Sequence, residues 1–160
     1  MGDARFERLC EDNYEMVVRV AFLITGDPQE AEDIAQETLT RAFERWEQVR
    51  GMENPVGWLN RVAANLAISR RRRLTRRLRP LSDRERESDA TLDPALSAAL
   101  RRLTPSQRAV VVLRYYLDMS IDATADALGK RAGTVRALSA QGVARLREDL
   151  GESWLMVRDE

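Results

Sequence analysis

The sequence predicts an all-α protein built from two domains. Four prolines each follow a residue whose side chain can cap a helix, and proline suits the first helical position. These pairs are Asp27-Pro28, Asn54-Pro55, Asp93-Pro94 and Thr104-Pro105. Apolar residues recur at spacings of three and four, and no stretch shows the sustained alternation of a strand. We therefore predict helices over residues 3–25, 28–48, 55–78, 94–102, 105–117, 120–128 and 132–148.

A charged segment divides these helices into two groups. From Pro80 to Thr91 the chain has no bulky apolar residue after Leu81, which is typical of a flexible linker. We predict a three-helix N-terminal domain over residues 1–79, a linker over 80–92, a four-helix C-terminal domain over 93–150 and a tail over 151–160.

The composition excludes several classes of function. The 160 residues include no histidine and only one cysteine, Cys10, so a classical zinc site, a Ser-His-Asp triad and an internal disulfide are excluded. No glycine-rich phosphate loop and no membrane-length apolar run is present. The N-terminus lacks a signal segment. We expect a cytoplasmic protein that is not an enzyme and needs no cofactor.

A net charge of zero hides a strong asymmetry along the chain. Residues 1–49 carry 12 acidic and 5 basic side chains, whereas residues 50–81 carry 9 arginines and one glutamate. Such segregation indicates that one surface meets a polyanion and another meets a different partner.

The first two predicted helices have clear apolar faces. In the first, Cys10 lies among the apolar positions and is expected to be a small buried residue instead of a reactive thiol. In the second, the predicted core positions are Ala31, Ile34, Ala35, Leu39, Ala42, Phe43 and Trp46. The other side of this helix brings together Asp33, Gln36, Glu37 and Thr40, with Arg41 one turn beyond Glu37. That side is either a solvated face or an acidic docking surface for a basic partner.

The third predicted helix ends in a dense arginine cluster. Seven arginines fall within residues 70–79, more than the helix dipole explains, so contact with phosphates is the better interpretation. Leu59, Val62, Ala63 and Leu66 form its core face, and Arg61, Asn65, Ser69 and Arg72 line the opposite side. Trp58 either packs in the core or offers a stacking surface for an unpaired base.

Residues 120–147 have the pattern of a helix-turn-helix. Ser120 can cap a helix with an apolar face of Thr124, Ala125 and Leu128, and Gly129 can end it. A second helix has inward positions Val135, Ser139, Gly142 and Leu146, whose small members allow close approach to a neighbouring helix. An ordinary antiparallel helix pair would give a similar pattern, so the pattern alone leaves both open.

Several of these segments together closely resemble the extracytoplasmic-function group of bacterial sigma factors. The matching segments are DPQEAEDIAQETLTRAFERW, ENPVGWLNRVAANLAISRRRR, LTPSQRAVVVLRYYLDMSIDATADALG and GTVR…ARLR, in the family's order and spacing. The resemblance covers nearly the whole chain. It implies a region-2 domain that binds core RNA polymerase and the −10 promoter element, a linker, and a region-4 domain that binds the −35 element.

The resemblance also assigns roles to single residues. It implies docking on the polymerase β′ subunit by Asp33, Gln36, Glu37 and Arg41. It implies −10 contacts by Arg61 and Asn65, to which we add the nearby Arg50, Asn54, Trp58, Arg70 and Arg72. It implies −35 contacts by Thr134, Arg136, Ala137, Ala140 and Gln141. The expected partners are core RNA polymerase, through its β′ and β subunits, and promoter DNA. An anti-sigma protein is a further candidate, since many members of the family have one.

The resemblance leaves two points open. The family often has arginine at position 141, and a recognition helix this poor in long donors suggests weak or shape-dependent −35 readout, with Arg136 suited to guanine and Gln141 to adenine. A stand-alone helix-turn-helix regulator that binds operators as a dimer is the main alternative. This alternative would not explain why the chain has both the acidic face and the arginine-rich helix.

Overall fold

In a computed structural model, the described part of the chain comprises residues 2–77 and 93–151, with the backbone alone for residues 74–77. It forms two compact units. All regular elements within these ranges are helical. The predicted linker over residues 80–92 and residues 152–160 of the predicted tail lie outside the described ranges.

The N-terminal unit contains helices α1 (Ala4–Thr25), α2 (Pro28–Glu44), α3 (Trp46–Val49) and α4 (Pro55–Arg77). α1 packs against both α2 and α4, and these two helices also contact each other. The core is built from the second half of α1 and from small residues on the other two helices, which permit close helix packing. Fully buried members include Val17, Val20, Ala21, Ala31, Ile34, Ala35, Thr38, Ala42, Leu59, Ala63 and Ala67.

Side-chain caps begin the helices at the predicted positions. Asp27 Oδ1 accepts hydrogen bonds from the backbone N–H groups of Gln29 and Glu30, at 2.9 and 3.3 Å. Asn54 Oδ1 accepts from Gly57 N at 2.9 Å, and Asp93 Oδ1 accepts from Ala95 N at 2.8 Å. These bonds satisfy backbone donors that the first helical turn leaves without intrahelical partners. The predicted caps are confirmed.

The second predicted helix is interrupted at Arg45, so the prediction of one helix over residues 28–48 is wrong there. Beyond the break, the Trp46 indole N–H donates to Asp3 Oδ2 at 2.6 Å, and its ring meets Phe6 edge to face with centroids 5.4 Å apart. Phe43 also meets Phe6 edge to face, with centroids 5.4 Å apart, but remains 61% exposed. Its assignment to the core of the unit was wrong, since its ring packs on Phe6 at the surface.

The C-terminal unit contains α5 (Pro94–Arg102), α6 (Pro105–Val111), a π-helical turn (Val112–Tyr116), α7 (Ile121–Leu128) and α8 (Ala132–Leu150). The predicted helix over residues 105–117 is therefore α-helical only in its first half. In the wider turn, Leu117 N donates to Val112 O at 3.1 Å, and Asp118 follows with a positive φ of 52°. No glycine or proline marks this change in the sequence.

The last two helices have the predicted helix-turn-helix caps and faces. Ser120 Oγ accepts from Ala123 N at 3.0 Å, and Gly129 ends α7 in the left-handed conformation with φ 62°. The buried residues of α8 are Val135, Ser139, Gly142 and Leu146, as predicted. A Cβ on Gly142 would lie 2.7 Å from Val111 Cγ2, so this glycine permits α8 to lie close against α6.

Candidate functional site

The acidic face of α2, which we define as Asp33, Gln36, Glu37 and Arg41, lies on the surface. Asp33 and Gln36 are exposed, and Glu37 is partly exposed. Glu37 Oε1 accepts from Arg41 Nη2 at 2.9 Å, the ion pair that the spacing predicts. No ion pair among the described residues involves Asp33. Asp33 is therefore the exposed carboxylate of this face that forms no such pair.

Arg70 connects this face to α4. Its guanidinium donates from Nη1 to Glu30 Oε2 at 2.9 Å and from Nη2 to Glu37 Oε2 at 2.8 Å. Burial lowers the pKa of Arg70, but the hydrogen bonds and charges of Glu30 and Glu37 outweigh that effect and raise it. Glu30 therefore uses its carboxylate to hold α4 instead of closing a capping box at Asp27. The predicted DNA contact of Arg70 is untested, and it would require the loss of two ion pairs.

The arginine run, residues 70–73, divides between partly buried arginines that bind other helices and arginines that are exposed. Arg71 Nη1 donates to the carbonyl oxygens of Thr25 at 2.9 Å and Ile24 at 3.5 Å, so it caps the C-terminal end of α1. Arg72 and Arg73 are exposed. The side chains of Arg76, Arg77 and Arg79 lie outside the described residues. The surface charge of this run is thus smaller than the sequence indicates.

The opposite face of α4 is open to solvent. Arg61 and Arg72 are exposed and Asn65 is half-buried, while Leu59 and Ala67 on the other side are buried. Arg61, Asn65 and Arg72 recur at spacings of four and seven residues, which places them on one stripe of the helix. The structure thus places these three predicted −10 residues along one side of α4.

The loop before α4 gives its polar residues structural contacts. Arg50 forms an ion pair with Glu47, and Asn54 is the cap of α4. Trp58, in the first turn of that helix, is half-buried. Its burial therefore fits both core packing and a stacking surface for a base. Contacts with DNA by these three residues remain predictions.

The outer face of α8 carries all five predicted −35 residues. Each is exposed, and they are Thr134, Arg136, Ala137, Ala140 and Gln141. The alanines keep the middle of this face flat, which permits close approach to a groove. Arg136 and Gln141 are the long polar side chains among the five.

One contact of this face was not predicted. Gln107, in the first turn of α6, donates from Nε2 to Gln141 Oε1 at 3.4 Å. Gln107 also closes a capping box at the start of α6, since Thr104 and Gln107 bond reciprocally. No sequence signal indicated that the same side chain reaches α8, because that contact depends on how closely α6 and α8 pack.

The other candidate chemistry is limited. Burial, with a smaller contribution from Glu11, raises the pKa of the half-buried Cys10 thiol, which favours the unreactive protonated form. Across residues 2–77 and 93–151, no cluster of three potential metal-ligating side chains is present. Within the same ranges, the helices are too short or too polar to span a membrane.

Comparison with known proteins gives the family. The model of sigma-70 region 2 matches residues 9–77, and that of sigma-70 region 4 matches residues 94–146. The chain is 36% identical to the RNA polymerase sigma-E factor of Streptomyces coelicolor, an alignment that covers 94% of this chain and 89% of that protein. It is 34% identical to the ECF RNA polymerase sigma factor SigL of Mycobacterium tuberculosis, covering 94% and 92%.

A solved structure shows the same fold. The sigma factor RpoE of Bartonella quintana, crystallised with the anti-sigma factor NepR, superposes with a TM-score of 0.71 at 21% identity, covering 94% of this chain and 99% of that one. The chain belongs to the extracytoplasmic-function group of the sigma-70 family, as the sequence motifs predicted. It is a sigma factor, an initiation factor that joins core RNA polymerase and directs it to promoter DNA.

Proposed function

We propose that the two units divide the work of initiation between them. Residues 1–79 act as the region-2 domain, which docks on core polymerase through the acidic face of α2 and meets the −10 element through α4. Residues 93–150 act as the region-4 domain, which meets the −35 element through α8, and residues 80–92 link the two. The distribution of exposed charge supports this proposal, since exposed acid lies on α2 and exposed arginine on α4 of the same unit.

Asp33 is the principal anchor for polymerase. Glu37 already holds Arg41 and Arg70, so a basic partner must compete with two guanidinium groups for its oxygens. Asp33 is exposed and free of such competition among the described ion pairs, and Gln36 beside it offers both donor and acceptor. The basic partner that the family implies, the coiled-coil helices of the β′ subunit, would meet Asp33 first.

The stripe of Arg61, Asn65 and Arg72 meets the −10 strand. Taking a base out of the stack costs a few kcal/mol, which contacts to the single strand must offset. Arginine supplies charge for phosphates, and the asparagine amide supplies both a donor and an acceptor for a base edge. Trp58 lies one turn before Arg61, near enough to offer its ring to an extruded base.

The outer face of α8 meets the −35 duplex. Thr134, in the first turn, is placed for phosphate contact at a helix N-terminus. Ala137 and Ala140 permit approach to the bases and can contact thymine methyl groups, while Arg136 supplies two parallel donors suited to guanine. With few long donors on this face, the shape of the duplex carries part of the specificity.

Such a protein acts by binding and works in the cytoplasm, where polymerase transcribes. A negatively regulating anti-sigma protein is a candidate partner, since the structural neighbour from Bartonella quintana is bound to one.

Size-exclusion co-elution with bacterial core RNA polymerase tests this function. We expect the wild type to co-elute as a 1:1 complex and Asp33→Arg to lose most of this binding. Glu15→Arg is the matched control, because it makes the same charge change at an exposed position of α1 and should co-elute normally. Asp33→Arg is preferred to a change at Glu37, which would also break the contact with Arg70.

Two results would contradict the proposal. Equal loss in both variants would show that net charge, and not the acidic face, controls binding. A wild type that ignores polymerase but binds duplex DNA as a dimer would support a stand-alone regulator.

A further inference from the structure

The amide of Gln107 has an orientation fixed by the backbone. Its Oε1 lies 3.2 Å from the backbone nitrogen of Thr104, a group that can only donate a hydrogen bond. The Thr104 hydroxyl in turn accepts from Gln107 N at 3.2 Å, which closes the capping box. The oxygen of the Gln107 amide must therefore face the cap. Its NH₂ group, which can only donate, must face the other way.

That NH₂ group faces Gln141 on the recognition helix. Gln107 Nε2 donates to Gln141 Oε1 at 3.4 Å, a weak bond in water that strengthens when DNA excludes solvent. The two side chains reach each other because Gly142 lets the helices approach. A Cβ on Gly142 would lie 3.6 Å from the backbone oxygen of Gln107 and 3.8 Å from its Cβ. The side-chain oxygen of Gln141 is thus held towards α6, and its NH₂ group is left for the DNA.

We infer that Gln107, which lies outside the recognition helix, sets the base preference of Gln141. A freely rotating glutamine pairs with adenine by using its oxygen and its NH₂ group together. Gln141 has its oxygen engaged and offers two N–H donors. These donors fit guanine, which presents N7 and O6 as adjacent acceptors in the major groove. The preference at this position is therefore guanine over adenine. This inference rests on the proposed binding of α8 to the −35 element.

The variant Gln107→Glu isolates this effect. Glutamate also serves at this position of a capping box, so one carboxylate oxygen can still accept from Thr104 N. The other oxygen can only accept, and it would draw the NH₂ group of Gln141 towards α6. The amide of Gln141 then turns over and presents its oxygen to the DNA. We expect the preference to invert from guanine to the donor-bearing bases, cytosine and adenine.

The experiment is a selection from a randomised duplex library by the holoenzyme assembled with bacterial core polymerase. Gln141→Ala first locates the base pair that Gln141 contacts, which is the position at which this variant no longer selects one base over the others. At that position we expect Gln107→Glu to shift the ratio of guanine to adenine roughly fivefold to tenfold, the size of one gained and one lost hydrogen bond. The added charge weakens binding to all sequences alike, so the ratio within one selection is its own control.

Two further variants keep the test decisive. Gln141→Arg has only donors, so its guanine preference should be the same with Gln or Glu at position 107. Gln107→Met removes the amide at similar length and lets Gln141 rotate freely, so adenine should gain through the paired use of its oxygen and NH₂ group, whereas cytosine should not gain. The inference would be overturned if folded Gln107→Glu kept an unchanged guanine preference, or if the wild type preferred adenine. Either result would leave the proposed function intact. If the wild-type holoenzyme bound no duplex from the library, that result would contradict both the proposed function and the inference.

Discussion

Helices α4 and α8 are both long, and both are proposed to meet DNA, yet they use their polar residues differently. In α8 the buried and exposed faces are those that the spacing predicts, with Gly142 at the closest approach to α6. In α4 the densest charge in the sequence is partly engaged within the unit, since Arg70 pairs with two glutamates and Arg71 caps α1. A count of arginines in a sequence therefore overstates how many guanidinium groups are free of intramolecular contacts.

The position of an arginine on its helix explains the difference. Arg70 follows Ala63 by seven residues and Ala67 by three, which places it on the buried face of α4. Arg72 follows Arg61 by eleven residues, three full turns, and continues the exposed face. The helical register thus decides which arginines stabilise the unit and which are available to a polyanion.

The largest expected effect concerns the packing of α8. We predict that Gly142→Val destabilises the C-terminal unit by about 2–3 kcal/mol, because the new side chain overlaps Val111 in a packed interface. Native-state hydrogen exchange of the α8 amides measures this loss. Gly133→Val is the matched control, since a Cβ at position 133 meets nothing within 4 Å. Equal loss in both variants would show that the close approach of α8 to α6 is not responsible.

A smaller effect is expected from the Arg70 ion pairs. We predict that Arg70→Gln lowers the free energy of unfolding of the N-terminal unit by roughly 1 kcal/mol, because the three side chains are partly exposed and solvent screens their charges. Chemical unfolding followed by Trp46 and Trp58 fluorescence measures it. Arg72→Gln, a change to an exposed arginine of the same run, should have no effect on stability. Coupling in a double-mutant cycle with Glu30→Gln would confirm the direct contact, and additive losses would contradict it.

The smallest effect is a dependence of stability on pH at the start of α1. The Trp46 indole, then the Arg5 backbone N–H, lower the pKa of Asp3 from its ordinary value. A carboxyl group whose pKa is lower in the folded state contributes stability above its unfolded pKa of about 3.9 and loses it as the pH falls through the folded value. Asp3→Asn should therefore melt slightly below the wild type at pH 7, and the difference should shrink below about pH 4. A constant difference in melting temperature between pH 7 and pH 3 would exclude this role.

Much of the fold could be predicted from local signals. The caps before four prolines, the inward residues of α8 and the end of α7 at Gly129 depend on neighbours within a few residues, which the sequence displays directly. The break at Arg45 and the π-helical turn after Val111 could not be predicted. The first accompanies the contact of Trp46 with Asp3, 43 residues away, and the second has no local marker.

The candidate site was predictable in composition but not in contacts. The sequence identified the acidic face, the stripe on α4 and the outer face of α8 as separate surfaces. It could not show that Glu37 is shared by two arginines, or that Gln107 reaches Gln141, because both depend on tertiary packing. The motifs that carried the family assignment therefore located the surfaces, while the hydrogen bonds within them required the structure.

The most direct test of the account is the salt dependence of holoenzyme binding to promoter DNA, compared between Arg70→Gln and Arg72→Gln. Each phosphate contact with single-stranded DNA contributes about 0.7 to the slope of log K against log salt concentration. The account predicts that Arg72→Gln reduces the slope by about that amount and that Arg70→Gln leaves it unchanged. A reduced slope for Arg70→Gln with no change for Arg72→Gln would show that the inward arginine is the one that meets DNA.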